Sequence, residues 1–142
     1  MLFRSLRRTA QNLGLPTPTA IAGAVGGQAG FGHTNFYKAL SETPQCRGSK
    51  SKSCFDAISV HPYSPNPKVD PLGEDVPMPW ATVANFSTFV KTVEKYWQPR
   101  RVRIWVTELA WQTNPPERRF GVPPKQQASL DRKSTRLNSS HT

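Results

Sequence analysis

Nowhere in the chain do about 18 apolar residues follow one another, the minimum for a membrane-spanning helix. No membrane partner is therefore expected. Acidic residues are scarce: Asp and Glu total 9 against 19 Lys and Arg, giving a net charge of +10. Such a balance points first to an anionic partner such as nucleic acid. The cations are scattered over several segments, however, and no recognised nucleic-acid motif occurs, so no nucleic-acid partner is expected. There are only two cysteines and no Cys-x-x-Cys, which argues against a zinc site. The glycine-rich stretch from Gly23 to Gly32 lacks Gly-Lys-Ser/Thr and the glycine spacing of a dinucleotide loop, so it reads as a plain loop. No metal and no cofactor are expected. Hydrophobic residues make up 36% of the chain, low for a globular domain, and with 14 prolines this predicts a loop-rich surface or an incomplete core.

Proline is plentiful, with 14 residues, and it punctuates the chain into short elements. Leu2, Phe3, Leu6, Ala10 and Leu13 recur at helical spacing, with Gly14 as a natural stop and Pro16 and Pro18 beyond it. Ala20 to Gly26 is a short apolar run, read as a buried strand. Thr34 to Leu40 is predicted as a helix capped by Thr34, with Phe36, Tyr37 and Leu40 inward. Cys46 and Cys54 stand eight apart in a polar loop. A local disulfide is the expectation if the protein is extracellular, and two free thiols are the alternative. The basic N-terminus has no apolar segment after it and does not read as a signal peptide.

The run Phe55-Asp-Ala-Ile-Ser-Val-His-Pro-Tyr63 is predicted as a second strand. Phe55, Ala57, Ser59, His61 and Tyr63 share one face, and Asp56, Ile58 and Val60 share the other. A long Pro-rich loop with Asp70, Glu74 and Asp75 follows. Val83, Phe86, Val90, Val93 and Trp97 then mark an amphipathic helix ended by Pro99. Arg101 to Pro116 carries the third strand, with Val102, Ile104, Val106 and Glu108 on one face and Arg103, Trp105 and Thr107 on the other. Trp97 and Trp105 are expected in the core. Thr113 to Pro124 reads as a long loop, and Lys125 to Leu130 as the start of a helix. The order α, β, α, β, α, β predicts a parallel α/β architecture, either a doubly wound sheet or a barrel segment. The long loops after the second and third strands favour the barrel, whose sites lie beyond its strand ends. Glu108 closes the third strand, where a catalytic carboxylate would sit. A simple ion pair with Arg101, Arg103, Arg118 or Arg119 is the competing reading.

Two motifs carry a resemblance. Phe55-Asp-Ala-Ile-Ser-Val-His-Pro-Tyr63, followed about forty residues later by Trp105-Val-Thr-Glu-Leu-Ala-Trp111, resembles clan A retaining glycoside hydrolases, in their family 39-like or family 5-like members. The resemblance implies a (β/α)8 TIM barrel of which residues 1–130 hold roughly strands 5 to 7, with a carbohydrate as substrate. It makes Glu108 the nucleophile. It assigns His61 to sugar hydroxyls, Tyr63 to orienting the nucleophile, and Trp111 to an apolar platform for a sugar ring. The second glutamate that such enzymes use as acid/base, usually preceded by asparagine, has no counterpart, because no Asn-Glu occurs. Glu42, Asp56, Asp70, Glu74, Asp75, Glu94 and Glu117 are all poorly placed to replace it. The expectation is a fragment cut at both ends, inactive and poorly folded by itself, from an extracellular parent. The alternative is a non-catalytic carbohydrate-binding barrel or pseudoenzyme.

Residues 131–141 resemble the conceptual translation of a common short-read sequencing adapter, and residues 131–142 are therefore expected to be an unstructured tail. Without them the net charge is +8, because they hold three basic residues and one acid. The oligomeric state is not readable from the sequence.

Overall fold

The computed structural model describes residues 2–26, 32–47, 54–64, 66, 76–99, 101–116, 118–119 and 121–139. Several expectations fall outside these residues: residues 27–31 of the glycine-rich stretch, the centre of the cysteine loop, Asp70, Glu74, Asp75 and Glu117.

Seven elements follow one another: α1 Leu2–Asn12, β1 Ile21–Gly26, α2 His33–Glu42, β2 Ala57–His61, α3 Phe86–Lys95, β3 Arg103–Val106 and α4 Pro124–Ser139. The three strands form one parallel sheet in the order β1-β2-β3. The predicted α/β order is thus present.

Helix α1 ends where its sequence says it must. Gly14 adopts φ 66°, Leu15 N–H donates to the Ala10 carbonyl (2.9 Å), and Gly14 N–H donates to that of Gln11 (3.1 Å). This is the paired closure that a left-handed residue after a helix allows. Arg7 reaches Asp56 Oδ1 at 2.7 Å, and Asp56 Oδ2 accepts from Ala20 N–H at 2.7 Å. Asp56 therefore ties α1 and the entrance of β1 to the entrance of β2. These contacts hold its carboxyl below the usual carboxylate range, the Ala20 N–H contributing most and Arg7 next.

Helix α2 begins one residue before the predicted cap. Gly32, at φ 72°, occupies the cap position and donates no side-chain bond, while Thr34 lies buried inside the helix. The loop at residues 76–82 supplies the missing partners instead. Pro79 carbonyl accepts from Thr34 N–H (3.1 Å), and His33 Nδ1 accepts from Ala81 N–H (3.0 Å). Burial pushes the His33 imidazole below its ordinary value.

The core lies on one face of the sheet. Ile58 and Val60 of β2 pack against Tyr37 of α2 and against Phe89 and Val93 of α3, with Phe55 and Trp97 closing the far end. Full burial of each such side chain contributes roughly 1.5–3 kcal/mol. The register of β1 on β2 slips between Gly23 and Val25, where φ at Gly23 is 88°. The slip sits where the Tyr37 hydroxyl comes in to donate to the Ser59 carbonyl, and a Cβ on Gly23 would lie 3.0 Å from that hydroxyl. Cys46 and Cys54 form a disulfide across a separation of eight residues, buried at the edge of this core.

Trp97 is buried as expected, but Trp105 is not: it keeps 43% of its surface exposed. Strand β3 is an edge strand whose Ile104 and Val106 pack on the core, while Arg103 and Trp105 are exposed. The chain expected to be unstructured from residue 131 is instead helical through Ser139. Residues 125–139 contain no glycine or proline to stop the helix, Leu130 is anchored in a core cluster, and Ser134 Oγ donates to the Leu130 carbonyl (2.8 Å).

Candidate active site

Parallel pairing brings the C-terminal ends of β2 and β3 side by side. Ser59 pairs with Trp105 and Val60 with Val106, and Thr107 N–H donates to the Val60 carbonyl (3.4 Å). His61 is therefore beside Thr107, one step beyond the last strand pair. Chain alternation would send Glu108 to the core side with Ile104 and Val106. The regular strand ends at Val106, however, so the alternation lapses there and Glu108 meets His61 and Tyr63.

The carboxylate is held at both oxygens. Tyr63 hydroxyl donates to Glu108 Oε1, and His61 Nδ1 faces Oε2 at 3.5 Å. The Glu108 side chain is 59% exposed, against 16% for His61, so an open carboxylate rests on a mostly covered imidazole. The rings of His61 and Tyr63 meet edge to face at 6.3 Å. Burial raises the Tyr63 phenol to about 12, helped by the hydrogen bond and charge of Glu108. It therefore stays protonated at neutral pH and remains a donor. A carboxylate so supported is oriented and reachable from solvent, as a nucleophile or an anionic ligand group must be.

Among the described residues, no arginine and no second carboxylate bonds Glu108. The ion pair with Arg101, Arg103, Arg118 or Arg119 does not form there. Asp56 lies at the opposite end of β2 in its pair with Arg7, and Glu94 is within α3. No group of three His, Cys, Asp or Glu side chains able to hold a metal occurs among the described residues.

Trp111 stands apart from this cluster. It is 3% exposed, packed with Val122 and Leu130 and flanked by Val83 and Leu109. Its platform role is corrected by this placement, because no ring face is left open. The loop after β3 folds back on itself to bury it: Val122 N–H donates to the Gln112 carbonyl (2.9 Å), Asn114 N–H to that of Val122 (3.0 Å), and Gln127 Nε2 of α4 to that of Trp111 (2.6 Å). His61 has both ring nitrogens facing protein groups, Glu108 on one side and Thr107 Oγ1 on the other (3.1 Å).

Thr107 and Ser59 are the residues that the sequence pattern did not single out for the site. The buried Ser59 hydroxyl shares a hydrogen bond with that of Thr107, extending the cluster into the sheet. The available signal was register: adjacent parallel strands ending in His61 and Glu108 place Thr107 next to His61. No family model, no curated protein and no solved structure matches the chain.

Proposed function

We propose that this chain is part of a retaining glycoside hydrolase acting on O-glycosidic bonds, with Glu108 as its nucleophile. The reading is carried by one observation: an exposed carboxylate at a strand end whose two oxygens are met by the Tyr63 hydroxyl and by His61 Nδ1. In such a reaction the Glu108 oxygen attacks the anomeric carbon and the leaving oxygen departs, giving a glycosyl ester that water later opens. Tyr63 aims the attacking oxygen, and His61 holds the other. A second carboxyl about 5–5.5 Å away must protonate the leaving group and then activate water. None among the described residues takes that part, and the barrel reading assigns it to a strand preceding those in this chain. Three parallel strands in sequential order, covered on one face and polar at their C-terminal ends, suit a piece of such a barrel. An extracellular parent suits the Cys46–Cys54 disulfide, since oxidising compartments preserve such bonds.

The lack of a second carboxylate at Glu108 among the described residues also suits a sugar-binding barrel without catalysis, and one experiment separates the two. Dinitrophenyl 2-deoxy-2-fluoroglycosides need no acid to release their leaving group, so the nucleophile alone can react once. The expected result is a single burst of dinitrophenolate with at least one sugar of a panel, and an adduct of one glycosyl unit on the peptide holding Glu108. Glu108→Gln abolishes the adduct, and Tyr63→Phe slows it roughly tenfold, the worth of one hydrogen bond to a charged group. Sugar binding without any adduct would establish the non-catalytic reading, and neither binding nor adduct would overturn both.

A further inference from the structure

We propose that Thr107, backed by buried Ser59, is a positioning residue that fixes neutral His61 as its Nδ1–H tautomer and so presents a proton to Glu108. The inference comes from following donors and acceptors along one chain of side chains. Glu108 Oε2, an acceptor when ionised, lies 3.5 Å from His61 Nδ1. A neutral imidazole facing a carboxylate with Nδ1 carries its hydrogen there, which leaves Nε2 as an acceptor. The group in front of Nε2 is the Thr107 hydroxyl, at 3.1 Å, and it can supply the hydrogen that Nε2 needs. Having donated, Thr107 Oγ1 accepts, and the neighbour in position to donate is the Ser59 hydroxyl.

The first step of this chain is set at its buried end, and the last by the carboxylate facing Nδ1. Ser59 is 2% exposed, and among the described residues its hydroxyl has Thr107 as its side-chain partner and no other. A buried hydroxyl that fails to donate forfeits a hydrogen bond. Ser59 therefore donates to Thr107 Oγ1, and the run continues to His61 and Glu108. In the opposite tautomer Nε2–H would donate to Thr107 as well, whose oxygen has two lone pairs, but a lone pair of Nδ1 would then face the carboxylate. Two strands contribute alternately, Ser59 and His61 from β2, Thr107 and Glu108 from the end of β3, so the strand register itself sets the tautomer.

The catalytic consequence rests on the reading of Glu108 as a nucleophile, but the tautomer does not. The decisive measurement is therefore spectroscopic. In the whole chain, two-bond nitrogen–proton correlations of 15N-labelled imidazoles separate the two tautomers, and His61 is assigned by the signal lost in His61→Gln. On the neutral side of the His61 titration the wild type is expected to show Nδ1–H as the dominant form. Thr107→Val, close in shape but without a hydroxyl, shifts the population at least severalfold towards Nε2–H, and Thr107→Ser restores the wild-type pattern. A wild type with Nε2–H dominant, or a Thr107→Val spectrum with an unchanged tautomer ratio, overturns the proposal. Glycosyl labelling of the same proteins tells the two failures apart. A correct tautomer without labelling removes the enzyme reading alone, and labelling at undiminished rate in Thr107→Val removes the positioning role alone.

Discussion

On the face of the sheet beneath α2 and α3, Ile58, Val60, Phe89 and Val93 have no measurable exposure. On the other face Trp105, a larger apolar side chain than any of them, keeps 43% of its surface in solvent, and Arg103 beside it is exposed. Both faces belong to the same three strands, so strand propensity does not explain the difference. Coverage does. Helices α2 and α3 pack on one face; on the other, the small Ala57 and Ser59 of β2 are buried while Arg103 and Trp105 of the edge strand β3 stay in solvent. One side of the sheet supplies stability and the other supplies the Glu108 cluster.

Substitution separates the two faces. Phe89→Ala is expected to cost about 3–5 kcal/mol, because Phe89 is fully buried between Tyr37, His33 and Phe86. Trp105→Ser is expected to cost about 1 kcal/mol or less. Urea midpoints of the two variants measure the contrast, and equal losses would mean that the open face is covered in solution. Next in size is the disulfide. Replacing both Cys46 and Cys54 with Ser frees a loop closed across eight residues, worth roughly 2–3 kcal/mol in unfolded-chain entropy. The same urea titration, with and without reductant, checks it.

A smaller effect than that of the disulfide lies at the entrance of β2. Asp56 has a lower pKa folded than its ordinary value of 3.8, so the unfolded chain binds its proton more readily. Its stabilisation is complete above the ordinary carboxylate range and is lost as pH falls through the folded value. At neutral pH Asp56→Asn is expected to cost about 1 kcal/mol, modest because the Arg7 pair is partly solvated. Thermal melts of both proteins between neutral and acid pH should converge as the wild type loses this advantage.

Much of the fold was legible in periodicity. Apolar residues three and four apart between Phe86 and Trp97 placed α3, and Gly14 ended α1 as its backbone freedom requires. The alternation through Phe55–Tyr63 set which residues of β2 face the helices. The meeting of His61, Tyr63 and Glu108 was legible as two motifs, each at the end of a short strand. Other features were not readable locally. Thr34 looks like a helix cap, but the 76–82 loop docks on α2 and binds the backbone of Thr34, so the helix starts earlier. Trp111 looks like an exposed platform next to a catalytic acid, yet α4 and Val122 close over it. Residues 131–134 have no apolar pattern of their own, and they are helical because the helix anchored at Leu130 has no reason to stop.

By itself the sequence determined the order of the elements, the parallel character of the sheet and the three side chains converging at one end of it. These follow from backbone periodicity and chain connectivity, which each segment carries within itself. Only the tertiary structure decided which tryptophan is buried, that Glu108 leaves the core face once β3 ends, and that Thr107 and Ser59 stand behind His61. Those outcomes depend on what a neighbouring strand or helix places opposite a residue, and a residue's own segment does not encode its neighbour.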